Sequence, residues 1–480
     1  MKVRFGVAAV ALFSLANPWA LRTMQARLAA ASLDPVEGAE LEGEGDGDGI
    51  EPAPNYVPPE PFIAGANQAV TLDAMVGPNT SVNSRDLCGG RGNTQSETSM
   101  AVYGDVIVVA FNDSRGFYCP SHSTVGWAFS LDGGQSFADG GTLPGAPILW
   151  SNGDPQVAVG PDGTFYVSGI SNNFRGMSIS RGTITPDGIS WTDPVQATFG
   201  SANTDKEALA VDQNTGTIYM AYDVGTARVE VVRSDDQAAS WTTPTVLPTY
   251  GGIGAFPVVD ANGRLYVTWL VGWPSTSQFV VNSYSDDGGQ TFSAPVQILN
   301  VCPITVQGFS RGQMPAFPSV AIDRSGGAFD GRIYVTFHSA CSDVAGNIYL
   351  ASSDDGGQTW TGSFVVDDVT GIHFSPTVSV DSAGNVNVFF YDRRENPGTS
   401  TTNVYFAQSV DGGASFAPNI RVTEVATTWG SIPSDITPNF GDYMTSLSVG
   451  TDVLITWSDG RNGDPDSYFA RLTPAMMANQ

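Results

Sequence analysis

Lysine is almost missing from this chain: of its 480 residues only Lys2 and Lys206 are lysines, and the formal net charge is −27. A surface so poor in cations has little with which to displace phosphate counterions, so nucleic acid is excluded as an expected partner. Histidine is equally scarce. His122, His338 and His373 are the three copies, and none stands at ligand spacing from a cysteine, so no metal site of the zinc type is expected. Beyond the N-terminus no stretch approaches the roughly eighteen uninterrupted apolar residues that stable membrane insertion requires. Helical periodicity is nearly absent too, and there is neither a G-x-S-x-G elbow nor a phosphate-binding glycine loop ahead of a helix. What is present is 41% hydrophobic residues with 55 glycines and 30 prolines. That composition suits many short strands joined by tight turns in one large all-β domain.

At the N-terminus Lys2 and Arg4 precede the apolar run 5–16, the pattern of an export signal. Residues 1–31 are read as this signal, with small residues suited to cleavage at Ala20 and again at 29–32. Residues 32–66 are rich in Glu, Gly, Asp and Pro and are read as an acidic linker that cannot form a packed core. Within it, the run Asp46-Gly47-Asp48-Gly49 lacks the longer ligand series of a calcium loop. No cofactor is therefore expected, with calcium as the one alternative. Cys88 precedes the first predicted strand pair and Cys119 follows it, and Cys302 and Cys341 stand in the same relation to the fifth. Of the three connectivities that four cysteines allow, this repetition favours Cys88–Cys119 and Cys302–Cys341. Two disulfides and an export signal predict a secreted protein, extracellular or periplasmic.

One turn recurs. The pattern S-x-D-G-G-x-[ST]-[FW] occupies Ser130–Phe137, Ser285–Phe292, Ser353–Trp360 and Ser409–Phe416, and a fifth copy, Ser234–Trp241, keeps Ser234, Asp236 and Trp241 but has Ala238 where the others have Gly. A sixth, degraded copy places Asp187 ahead of Trp191. A turn fixed at intervals of tens of residues marks a repeat architecture. Its Asp can accept bonds from backbone N–H groups of its own turn, its Gly can take φ > 0, and its aromatic can pack inward. The pattern resembles the Asp box, or bacterial neuraminidase repeat, of the sialidase superfamily. That resemblance covers about Gln68 to Leu472 and implies a β-propeller that acts on glycans.

Between the turns run seven strand pairs: Met100–Asp113, Val157–Gly169, Leu209–Asp223, Val258–Leu270, Val320–His338, Val378–Asp392 and Leu447–Asp459. The last is followed by one more strand, Ser467–Leu472, and lacks a fourth. A segment at Gln68–Met75 resembles the missing strand, and its return to the last blade would close the ring and hide both sheet edges. Residues 67–473 are thus read as a propeller of four-stranded blades, seven in number with six as the competing count, followed by a tail at 474–480.

Loops entering the first strands and leaving the second strands fall on one face near the axis, opposite the Asp boxes. Three second strands end alike as [FW]-x-D-x-R, in Phe111-Asn-Asp113-Ser-Arg115, Phe390-Tyr-Asp392-Arg-Arg394 and Trp457-Ser-Asp459-Gly-Arg461. In a closed ring their blades are consecutive. Arg115, Arg394 and Arg461 would then present guanidinium forks in one sector, as the sialidase arginine triad does for a sugar carboxylate, or else each would fasten its own strand end by a local salt bridge. Entries to the first strands supply Glu97, Asp154, Asp205, Lys206, Glu207, His373, Asp442 and Tyr443. By resemblance, Tyr443 is the expected nucleophile, Glu97 its base, and Asp154 or Asp205 the acid, with Lys206 and Glu207 as further substrate contacts. The family's first-blade arginine segment is absent, and Ser96-Glu97-Thr98-Ser99 stands in its place. Trp273, Phe309, Phe317, Phe374 and Trp429 are candidates for stacking on sugar rings. The expected partners are glycans or glycoconjugates, bound for hydrolysis of the sialidase type or, alternatively, by a non-catalytic binding module.

Overall fold

The computed structural model describes residues 50–52 and 75–473, apart from 86, 87, 89, 121, 201, 202, 342–345 and 363. The export signal, most of the linker, its Asp46–Gly49 run, residues 68–74 and the 474–480 tail lie outside the described residues.

Seven antiparallel sheets form the blades of a propeller. Their first strands are Gln95–Tyr103, Gln156–Val159, Thr204–Val211, Ile253–Val259, Ser319–Ile322, His373–Val380 and Thr445–Val449. Each packs against the first strands of both neighbours, and that of blade 7 packs against that of blade 1. The second strands sit between blades and are buried on both faces, which is why they read as near-continuous apolar runs. Phe165–Ser171, Ile333–Ser339 and Val386–Asp392 are buried along their whole length. The first strand Ile253–Val259 instead alternates buried and half-buried residues, as expected where one side lines the axis.

Side-chain hydroxyls join first strands across blades. The amide of Val157 donates to Ser99 Oγ (2.9 Å), that of Val378 to Ser319 Oγ (3.2 Å), and that of Ser446 to Thr377 Oγ1 (3.2 Å). Each bond satisfies a buried amide that strand pairing within the blade leaves free.

The ring is closed by the N-terminal segment, but a few residues later than the sequence suggests. Thr80–Ser81 pairs with Tyr468 and Phe469 of the last blade, and Val76 bridges to Leu472. Asn79 fixes this register, donating its side-chain amide to Val422 O and accepting the amide of Glu424 on its Oδ1. Both predicted disulfides are present, Cys88–Cys119 with Cα atoms 5.6 Å apart and Cys302–Cys341 at 4.8 Å. The first ties the closing segment to the loop after the second strand of blade 1. The linker reading needs one correction. Ile50 is fully buried, and Glu51–Pro52 pairs with Ile436–Thr437, so the linker contains an ordered contact well before its expected end at residue 66. A single large aliphatic side chain in a polar stretch suffices to dock it.

Each Asp box is a self-contained hydrogen-bond knot. In the first, Asp132 accepts from Ser130 Oγ (2.7 Å), the Ser136 amide (3.0 Å) and Ser136 Oγ (2.6 Å), while Gly134 N donates to Ser130 Oγ. Asp236, Asp287, Asp355 and Asp411 do the same. Ala238 replaces a glycine yet adopts φ +64°, because its amide still reaches Ser234 Oγ at 3.0 Å. Blade 2 dispenses with the knot. There the third strand, Gly176–Thr185, runs on into a hairpin with Gly188–Trp191, which accounts for the degraded sixth copy.

The hydroxyl and amide donors hold Asp132 and Asp287 down at about 2, below the ordinary value near 3.9. A lowered folded-state pKa adds stability that is complete above the unfolded value and lost as pH falls through the folded one. The difference in urea midpoint between the native chain and Asp287→Asn should therefore be largest above about pH 4 and shrink toward pH 2. A difference constant across that range would show that the knot does not depend on the charge.

Candidate functional site

Bulges at the start of the first strands build the axial face. In blades 1, 3, 4 and 6 two residues oppose a single partner: Glu97 and Thr98 lie against Phe111, Lys206 and Glu207 against Tyr222, Gly254 and Ala255 against Trp269, and Ser375 and Pro376 against Phe390. All four opposing aromatics are fully buried and wedge the bulges open. The first residue of each bulge takes positive φ: 52° at Glu97, 47° at Lys206, 65° at Gly254 and 50° at Ser375. Asp154, ahead of the first strand of blade 2, adopts 55°. This backbone costs about 1–3 kcal/mol at each non-glycine position and re-aims the side chain.

The bulges bring Lys206 to the centre of a ring of carboxylates. Its Nζ lies 2.9 Å from Asp154, 3.0 Å from Asp442 and 3.4 Å from Glu97, so one ammonium from blade 3 joins blades 1, 2 and 7. Arg311, in the connection between blades 4 and 5, adds a second cation 2.8 Å from Asp442. Phe317 and Tyr443 present ring faces to the ammonium at 5.6 and 5.5 Å. Glu97 also accepts the amide of Asp442 at 2.9 Å. All four central side chains are no more than 3% exposed.

Burial works against every charge in this cluster, and neighbours decide the outcome. Burial disfavours Glu97's charge, but Lys206 and Arg311 outweigh it and hold the carboxyl below its ordinary range. Asp154 goes the other way, pushed well up by burial and by the charge of Glu97. Burial also raises Asp442 and carries Glu207 well above the carboxylate range. Lys206 is held well above its usual value because the carboxylates overcome its desolvation.

Below the cluster an axial cavity of about 610 Å³ runs between the first strands. Lys206, Glu207, Asp442, Tyr443 and Phe317 line its end nearest the bulges. Glu207 is buried, with the Ser168 hydroxyl as a polar neighbour.

The other sequence candidates are distributed differently. Asp205 is buried beside the cluster and accepts the amide of Lys206 at 2.9 Å. Tyr443 is half-buried, and its hydroxyl donates to the carbonyl of Pro155 (3.2 Å), with no bond to Glu97. Burial and the charges of Glu97 and Asp154 raise it well above a normal phenol. Trp273, Phe309, Phe374 and Trp429 are buried core residues, leaving Phe317 as the one stacking candidate on the cavity wall.

The arginines do not converge. Arg115 pairs with Asp113 and reaches Asp139 and Ser84; Arg394 pairs with Asp392 and reaches Asp368 and Asn419; Arg461 pairs with Asp459 and reaches Asn79 and Glu424. In each case the distant partners flank the fourth strands of two consecutive blades, and they hydrogen-bond one another. The three residues are rivets at the 7/1, 5/6 and 6/7 blade junctions. Of the two readings of these ends, the local salt bridge describes the contacts that the arginines make. A clamp needs free forks, and these are spent on the Asp two residues earlier and on the neighbouring blade.

His373, at the entry to blade 6, is buried against Asp392 (3.0 Å) and belongs to that rivet. Buried His338 is lowered to about 4 by desolvation. Among the described residues the only grouping with metal-ligand spacing is Cys88, Cys119 and His122, and two of these are joined as a disulfide. Sequence reasoning missed Arg311, which belongs to no repeat and lies in an inter-blade connection.

The repeated knots and the seven-bladed ring agree with a family match over residues 225–435, whose model is described as a BNR repeat-like domain. The structure is a seven-bladed β-propeller carrying Asp-box turns, and its residues 225–435 are similar to the BNR repeat-like domain. No curated protein matches it. Several solved structures are similar at low identity. A protein of unknown function from Dyadobacter fermentans shares 13% identity, with 82% of this chain and 97% of that one covered and a TM-score of 0.46. The GH93 α-L-arabinofuranosidase of Fusarium graminearum shares 11%, over 83% and 98%, at 0.47. A sialidase named Hadza microbial sialidase Hz136 shares 14%, over 76% of each chain, at 0.43.

Two substitutions separate rivet from cluster. Arg461→Met should destabilise the propeller by about 3 kcal/mol, since it strands the buried Asp459 without a counter-ion. Lys206→Met should cost a similar amount, and adding Glu97→Gln should restore part of it by removing the carboxylate that Lys206 and Arg311 hold below its ordinary range. Equilibrium denaturation of the three variants measures both, and a double variant no more stable than Lys206→Met alone would refute the charge argument.

Proposed function

We propose that this propeller binds glycans at the bulge end of its axial cavity, outside the cytosol, without hydrolysis of the sialidase type. The observation that carries the reading is the composition of that end: Lys206, Asp442 and a buried Glu207 beside the rings of Phe317 and Tyr443 in a cavity of about 610 Å³. That volume is within the usual range for small-ligand sites. Burial pushes Glu207 toward its neutral form, and a neutral carboxyl both donates and accepts, as a sugar hydroxyl requires. The rings offer apolar faces to sugar C–H groups. Two disulfides fit an oxidising compartment.

Against sialidase-type hydrolysis stand the engaged arginines and the bond from Tyr443 to Pro155, which leaves the phenol without a base. One observation favours a hydrolytic reading. Burial and Lys206 push Glu97 and Asp154 in opposite directions, the kind of separation that an acid and base pair uses.

A glycan array with the native protein and Glu207→Ala tests the proposal. Binding should fall by about tenfold or more in the variant, equivalent to about 1.4 kcal/mol, at an unchanged melting temperature. A 4-methylumbelliferyl sialoside should not be turned over. An empty array would overturn the binding reading, and turnover abolished by Tyr443→Phe would replace it with hydrolysis.

A further inference from the structure

A short piece of the acidic linker lies across the axial face. The amide of Ile50 donates to Asn152 O at 3.2 Å, and Glu51 and Pro52 pair antiparallel with Thr437 and Ile436. Asn152 belongs to the loop entering blade 2, and Ile436–Thr437 to the loop entering blade 7. The linker segment therefore bridges the two blades that flank blade 1. Those loops lead into Asp154 and Asp442, two of the carboxylates around Lys206, and the blade between them contributes Glu97, the third.

The fit is local and specific. Ile50 is fully buried, and it is the one large aliphatic residue between Leu41 and Tyr56. Its side chain packs on Gly153, where any side chain would collide with it; Gly153 adopts φ +77°. Ile436, opposite Pro52, is 1% exposed. Behind the segment, 22 residues separate Pro52 from Met75, a contour of about 70 Å, so release of the segment need not unzip the closing strand. The attachment consists of one buried side chain and a two-residue ladder, contacts of the kind that open locally without global unfolding.

We propose that Ile50–Pro52 is a reversible strap over the axial cluster, and that the slot it fills is a β-augmentation site for an extended segment of the form aliphatic–acidic–proline, with this linker as its resident occupant. The backbone edge of Ile436–Thr437 supplies pairing, and the pocket at Gly153 supplies selection for the aliphatic residue. While the strap is seated, the loops that carry Asp154 and Asp442 are held together. The slot exists whatever the axial face binds, so its test is separate from the glycan assay.

The experiment uses the full chain and its Ile50→Asp variant, with a fluorescent peptide of residues 46–57 as the probe. Because Ile50 lies outside the blades, the variant should melt with the native protein. The peptide should bind the variant and bind the native chain about tenfold or more weakly, since apparent affinity scales with the fraction of molecules whose slot is free. Hydrogen exchange at Asn152–Asp154 and at Ile436–Thr437 should quicken in the variant and slow again when the peptide is added. Equal binding to both proteins would overturn the proposal, as would no binding to either or exchange unchanged by Ile50→Asp.

Discussion

The ammonium of Lys206 reaches carboxylates from three other blades, and the axial architecture is arranged around it. Asp154, Asp442 and Glu97 are all buried, and a charge on any of them would be costly without a counter-ion. One lysine on a bulge resolves all three, with Arg311 sharing the load at Asp442. A compact point charge suits this task better than a planar fork, because its acceptors approach from separate blades. The energetic gain over an apolar plug is small for such buried ions. What the arrangement adds is directional, since blades 1, 2, 3 and 7 must meet in one register for the charges to be satisfied. In a chain with a net charge of −27, the placement of a single lysine carries that specificity.

A second constraint acts at the rim. A propeller assembled from a linear chain must join its last blade to its first, and here the N-terminal segment supplies the outer strand of blade 7. The Asp-x-Arg rivets mark the three consecutive junctions around that seam. Arg461 reaches Asn79 immediately before the closing strand, and Arg115 reaches Ser84 shortly after it. The Cys88–Cys119 bond adds a covalent tie a few residues further on. Closure is thus secured by arginine hydrogen bonds on both sides of a ladder only two residues long, which backbone pairing alone would hold weakly.

Much of this was legible in the residues. The Asp boxes, the seven strand pairs and the cysteine spacing each identify local structure, and local structure follows from turn chemistry and alternation. Ala238 could be read as a box residue because Ser234, Asp236 and Trp241 surround it. The Asp-x-Arg ends were visible as a repeat with two readings, a carboxylate clamp or local salt bridges, and the residues alone did not choose between them. Whether a guanidinium faces the axis or the next blade depends on where the neighbouring fourth strand runs, and no spacing within one blade encodes that. The closing strand was likewise placed a few residues too early, because its register is set by Asn79 against Glu424, residues 345 positions apart. Arg311 left no mark at all, being a single residue in a connection outside the repeat.

Taken alone, the sequence determined the repeat, the blade count within one, the disulfide pairs and the face on which charged residues would gather. These depend on contacts within one hairpin or between equivalent positions of the repeat. Tertiary structure decided that Glu97, Asp154, Lys206 and Asp442 form one cluster, that three arginines of identical motif do not, and that Ile50 leaves the linker to lie across blade 1. Such choices rest on distances between blades, and those exist only once the ring has closed.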